Sequence, residues 1–206
     1  MGIVTRGEAM KSHVNRIVLG LAGLLATTVP ALAHVGTGAH DGFAHGFMHP
    51  FNGLDHLLAM IGVGLFAAQL GSRALWLVPS AFVSMMVAGG VLGFNGMEVP
   101  FVELGIVASV VAIGVLLAFN VQLPLAIAMA LTGVFAVFHG YAHGAELPPG
   151  NDAVAYVGGF VLATALLHVF GVGIGLAFHK LPSASRVWVD RAMGGAMTIV
   201  GLVLLS

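Results

Sequence analysis

The run Phe138-His139-Gly140-Tyr141-Ala142-His143-Gly144-Ala145-Glu146 closes a long apolar segment that starts near residue 123. A second run, His49-Pro50-Phe51-Asn52-Gly53-Leu54-Asp55-His56, lies at the start of an earlier apolar segment. Apolar segments of this length are typical of membrane-spanning helices. Ionisable groups at membrane depth cost roughly 2.5–3.5 kcal/mol each on insertion scales. The two runs therefore predict a helical membrane protein with a functional site inside it.

Composition supports a membrane protein. Hydrophobic residues make up 59% of the 206 residues and charged residues only 7%, with a mean hydropathy of +1.04, whereas a soluble domain has about 25% charged residues. The net charge of −1 provides no basic surface for nucleic acid. Without cysteine there is no disulfide framework, thiolate metal site or iron–sulfur cluster. Ten histidines against eight acids direct attention to imidazole chemistry.

The N-terminus has the pattern of a secretory signal peptide. Arg6, Lys11 and Arg16 precede the apolar stretch 17–29, and Ala31-Leu32-Ala33 follows. A basic region, a short apolar region and an A-x-A site define such a peptide. We expect residues 1–33 to be removed, with residue 34 as the mature N-terminus. The alternative is an uncleaved first helix.

The rest of the chain, residues 34–206, predicts one all-α permease domain with six transmembrane helices. Each apolar stretch is near the roughly 20 residues that a helix needs to cross a bilayer, and a β-barrel would show short alternating strands instead. A homo-oligomer is left open. The predicted spans are 47–69, 74–94, 101–119, 123–145, 153–178 and 187–205.

The basic residues predict the orientation. With an outer N-terminus, Arg73 falls in the first cytoplasmic loop, and Lys180, Arg186 and Arg191 fall around the third. This agrees with the positive-inside rule. We therefore expect a multi-pass protein of the bacterial inner membrane, with the mature N-terminus and the C-terminus in the periplasm.

Helical spacing predicts that the second run forms one surface. At 100° per residue, His139, His143 and Glu146 lie within roughly 60° of one another. This motif ends an outward-running span, and the first motif begins an inward-running one. Both runs are therefore expected in the outer half of the bilayer, facing one site.

The first run predicts a similar surface on a continuous span. His49, Asn52 and His56 share a face, and His45 would join it if the helix extends back that far. Asp55 lies about 100° from His56, so it could bind the same ion or hold a ligand imidazole in place. Pro50 suits the first turn of a helix but would kink a helix that continues through it.

Imidazole with carboxylate suits nickel, zinc, cobalt or copper(II). His168 fits a pathway role or a purely structural hydrogen bond, and residues 34–45 fit a metal-collecting mouth or a flexible lead-in. The predicted metal site consists of His49, Asp55, His56, His139, His143 and Glu146. The candidate entrance and pathway residues are His34, His40, Asp41, His45, Asn52 and His168.

At these motifs the chain resembles the HupE/UreJ family, the hydrogenase- and urease-accessory membrane proteins regarded as nickel permeases. The family's His-x5-Asp-His signature matches His49, Asp55 and His56, and its Phe-His-Gly-x-Ala/Val-His-Gly-x-Glu signature matches residues 138–146. The resemblance implies Ni²⁺ as transported substrate, with Co²⁺ in some members, no prosthetic group, and supply to enzymes such as [NiFe] hydrogenase or urease.

Two other functions use the same residue types. An intramembrane metal-dependent hydrolase would need three protein ligands, an open position and an acidic base such as Glu146 or Asp55. A haem-binding bundle would place histidines on facing helices. The spread of candidate ligands along two helices favours a transport path over one reaction centre, so we expect a permease and not an enzyme.

Overall fold

The computed structural model describes residues 42–147 and 152–205. The regular secondary structure of these residues is all helical, and they contain no strand. Predictions for the signal peptide, His34, His40 and Asp41 lie outside the described residues. The helices are α1 (Gly42–Asn52), α2 (Leu54–Leu70), α3 (Ala74–Phe94), α4 (Val102–Ala118), α5 (Leu125–Ala145), α6 (Asp152–Phe178) and α7 (Ser183–Leu204).

The predicted all-helical, multi-pass membrane architecture is confirmed. Four helices, α3, α5, α6 and α7, are long and apolar enough to cross a membrane. The pair α1 and α2 passes the same test together and gives up to five spans, while α4 is apolar but has only 17 residues. The sixth span thus depends on α4, and six spans stay a prediction.

The first predicted span, a continuous helix over 47–69, is wrong. It breaks at Gly53, and α1 and α2 meet at 84°. Gly53 has extended backbone angles and accepts the first hydrogen bond of α2, from the Leu57 N–H at 3.0 Å. Pro50 lies inside α1, so it neither begins the membrane helix nor kinks a continuous one. The break suits glycine, because a Cβ there would lie 2.7 Å from the Asp55 carboxylate.

Glycines bring the helices into backbone contact. A methyl group at Gly140 of α5 would overlap the Met86 carbonyl oxygen of α3, and one at Gly64 of α2 would overlap the His168 carbonyl oxygen of α6. In the same way, Gly46 of α1 lies on the backbone of Tyr156 in α6. Small residues permit such close packing in membrane proteins. These contacts pack α1 and α2 against α6, and α5 against α3.

Candidate metal centre

The two histidines of α5 face the interior of the bundle. His139 is fully buried and His143 is 5% exposed, while Glu146, one turn further, is exposed at the end of the helix. Residues four apart lie on the same face of a helix. The geometry agrees with the predicted shared face and also orders it by depth, with Glu146 outermost and His139 innermost.

Four imidazoles from three helices form a continuous row. The ring centroids of His49 and His143 are 4.5 Å apart, those of His143 and His56 are 4.5 Å apart, and those of His56 and His139 are 4.9 Å apart. The rings meet mostly edge to face. A row of this kind offers several neighbouring nitrogen donors to a metal ion.

The predicted shared face in the first run is wrong, because His49 and His56 belong to different helices. The bend at Gly53 brings them together instead, with His49 at the end of α1 and His56 in the first turn of α2. Asn52 and His45 are exposed on α1, and neither makes a ring contact with the four histidines in the described part of the chain.

At the outer end of the row, three side chains with donor atoms lie close enough together to form a candidate metal site. Donor atoms of His49, His143 and Glu146 all lie within 4.8 Å of one another, and His49 Nε2 is 4.0 Å from Glu146 Oε2. Bonds from imidazole or carboxylate to zinc, a comparable divalent ion, are roughly 2.0–2.2 Å, so two donors on one ion are at most about 4.4 Å apart. Small side-chain movements would let the three donors bind a single ion.

Asp55 contacts a ligand imidazole directly. Its Oδ1 accepts a hydrogen bond from the His56 backbone N–H at 2.8 Å and lies 3.0 Å from His56 Nδ1. A carboxylate in the first turn of a helix is also favoured by the helix dipole. Between the two roles left open for Asp55, the geometry favours holding His56. The other ring nitrogen, Nε2, is buried and has no partner among the described residues, so it is available for a metal.

Ser109 of α4 makes the matching contact to His139. The Ser109 hydroxyl donates to the Ile106 carbonyl oxygen at 2.6 Å and lies 2.9 Å from His139 Nε2. Because its single hydrogen is already used, the hydroxyl accepts from His139 Nε2–H. In that tautomer His139 Nδ1 carries no proton, so its lone pair can bind a metal ion. This buried atom has no hydrogen-bond partner within the described ranges.

His168 lies below the row and is separated from it by Phe82. The Phe82 ring is 5.7 Å from His139 and 5.1 Å from His168. His168 is 1% exposed, and neither of its ring nitrogens has a hydrogen-bond partner in the described part of the chain. A purely structural hydrogen bond for His168 is therefore not found among the described residues.

Comparison with known proteins agrees with the two motifs. Residues 22–204 match the sequence model of the family described as HupE / UreJ protein. The chain belongs to the HupE/UreJ family. It is also 48% identical to Protein HupE of Rhizobium leguminosarum bv. viciae over 183 residues, which cover 88% of this chain and 94% of the relative. No solved structure matches the chain.

Family membership confirms the resemblance and places the chain among hydrogenase- and urease-accessory metal transporters of the membrane. Every histidine of the two HupE/UreJ signatures belongs to the row. The two acidic residues of the signatures lie beside it, Asp55 next to His56 and Glu146 next to His49. Ser109 and Phe82 lie outside both signatures. A hydroxyl in the middle of an otherwise apolar span was the sequence signal that could have identified Ser109.

Proposed function

We propose that this HupE/UreJ protein is an inner-membrane permease that takes up Ni²⁺, with Co²⁺ as a second cargo, for the maturation of a nickel enzyme such as hydrogenase or urease. The observation that carries the proposal is the row of four imidazoles, which begins at a half-exposed histidine and ends at a fully buried one. A stepwise path needs several similar donors at increasing depth, whereas one reaction centre needs only one set of ligands.

The donor types support a borderline divalent ion. Each imidazole of the inner pair has one nitrogen occupied by a protein partner, Asp55 or Ser109, and the other free. This arrangement is typical of histidines that bind metal. The proposed ligands are His49, His56, His139, His143 and Glu146, and Asp55 is proposed to hold the His56 imidazole in place.

The proposed direction of transport is inward. The membrane topology rests on six spans, counting α4, with both mature termini in the periplasm and the basic residues in the cytoplasm. Glu146 and His49 then lie at the periplasmic mouth, where cations enter. The exposed carboxylate of Glu146 would attract cations before they reach the imidazoles.

Accumulation of ⁶³Ni in cells tests the proposal. At matched expression, His139→Ala and His143→Ala are expected to abolish uptake, because each removes one imidazole from the row. Tyr141→Phe is the matched control, since Tyr141 lies between the two histidines on α5 and contributes no proposed ligand. Uptake by either histidine variant at the level of Tyr141→Phe would refute the assignment of the site.

A further inference from the structure

A small, largely apolar pocket lies at the other end of α2 and α6 from the histidine row. Three polar side chains line it: Gln69 near the end of α2, His179 just after α6, and Asp190 on α7. His56, by contrast, is in the first turn of α2. Because Gln69 is thirteen residues beyond His56, a helix places it about 20 Å away along the axis. The pocket is therefore separate from the histidine row.

Gln69 presents an unpaired acceptor beside this pocket. The side chain is 8% exposed, and its Nε2 donates to the Val121 carbonyl oxygen at 2.9 Å and to the Leu116 carbonyl oxygen at 3.4 Å. Two carbonyl partners fix the amide so that its NH₂ group faces them. Oε1 then faces away, buried and without a partner among the described residues. An unsatisfied buried acceptor costs about 1–3 kcal/mol, so this atom favours a bound cation or donor.

Asp190 and His179 line the same pocket as Gln69. Arg186 contacts Asp190 from one turn away on α7, with 3.5 Å between Arg186 Nε and Asp190 Oδ2. His179 is exposed at the edge of the pocket. A carboxylate, an imidazole and an amide oxygen are ligand types that Ni²⁺ and Co²⁺ accept. The guanidinium of Arg186 competes with a metal ion for the carboxylate and would keep such a site weak.

From these contacts we infer that Gln69, His179 and Asp190 form an inner, low-affinity divalent-cation site from which transported metal leaves the protein. The inference rests on the proposed function, and it assigns to Arg186 the role of a competing cation that promotes release. A site where metal leaves must bind it weakly, and a neighbouring positive charge lowers affinity for a divalent ion.

Equilibrium titration with NiCl₂ on the purified full chain tests the inner site. The background carries His139→Ala and His143→Ala, which disable the outer row. We expect weak residual binding in this background. Asp190→Asn should weaken this residual Ni²⁺ binding by at least about tenfold. Removal of a residue that only supports a metal ligand already lowers metal affinity by about that factor. Arg186→Gln should strengthen it, because the competing charge is gone.

The opposite signs of these two variants distinguish a cation site from a structural ion pair. If the Arg186–Asp190 ion pair were only structural, Asp190→Asn and Arg186→Gln would bind Ni²⁺ equally well. His179→Ala provides a variant that preserves the fold, because its side chain is exposed, and it should also weaken binding. Absence of residual binding, or equal binding in Asp190→Asn and Arg186→Gln, would overturn the inference. Failure of the wild type to accumulate ⁶³Ni would instead overturn the proposed function, since the titration does not depend on transport.

Discussion

Ser109→Ala removes one hydroxyl group from the interior and leaves every proposed metal ligand in place. In the native chain this hydroxyl accepts a hydrogen bond from His139 Nε2 at 2.9 Å, and His139 is fully buried. Without that acceptor, the imidazole either keeps an unpaired Nε2–H or moves its proton to Nδ1. In the second case Nδ1 carries the proton and can no longer bind metal.

The expected size of the effect follows from burial. A buried donor left without a partner costs about 1–3 kcal/mol, and about 1.4 kcal/mol corresponds to a tenfold change in an equilibrium constant. Loss of an outer-shell partner of a metal-binding histidine typically lowers metal affinity by roughly 10–100-fold. We therefore expect Ser109→Ala to weaken Ni²⁺ binding by about 10–100-fold, and to raise the KM for uptake more than it lowers the maximal rate.

Calorimetric titration of purified protein with NiCl₂ measures the affinity, and ⁶³Ni uptake into proteoliposomes measures KM. Thr132→Val is the matched control, because Thr132 is also a fully buried hydroxyl but donates only to backbone carbonyls of its own helix, at 2.9 Å to Ala128. The control should bind Ni²⁺ like the wild type. Equal affinities for Ser109→Ala and Thr132→Val would refute the argument that Ser109 sets the tautomer of His139.

Three further predictions concern the site, the packing and pH. Asp55→Asn should lower the Ni²⁺ affinity measured by titration by about 10–100-fold. The amide oxygen can still accept a hydrogen bond from the His56 backbone N–H, but it lacks the negative charge that orients the His56 ring. Unchanged affinity would contradict this. Gly140→Ala should lower the free energy of unfolding by about 1–3 kcal/mol or more, because the added methyl group overlaps the Met86 carbonyl oxygen. Gly173→Ala is the control and should not lower it, because Gly173 has open space around it. Initial ⁶³Ni uptake should fall as external pH decreases, because protons compete with metal for imidazole nitrogens; uptake that rises with acid would contradict this.

The helices with a long apolar pattern could be predicted well from the sequence. The predicted span 74–94 coincides with α3, and α5 and α6 begin or end within two residues of the predicted bounds. The reason is physical, since a run of about 20 apolar residues with few charges has little alternative to a membrane helix. Spacing on α5 also correctly predicted that His139 and His143 share one buried face.

The break at Gly53 could not be predicted from periodicity. Residues 47–69 are apolar enough for one span, and a single glycine lowers helix stability by only about 1 kcal/mol. The conformation is decided by tertiary contacts: α1 packs through Gly46 on Tyr156, and the space at Gly53 is filled by the Asp55 carboxylate. The Ser109 contact is equally non-local, because thirty residues separate Ser109 from His139.

X-ray absorption spectroscopy of the purified full chain loaded with one equivalent of Ni²⁺ tests the central claim most directly. A site built from the histidine row predicts nitrogen and oxygen donors with the outer-shell scattering of more than one imidazole, and this scattering should decrease in His143→Ala. A spectrum that shows sulfur donors, or only oxygen donors without imidazole scattering, would contradict the claim that metal is held by the histidine row.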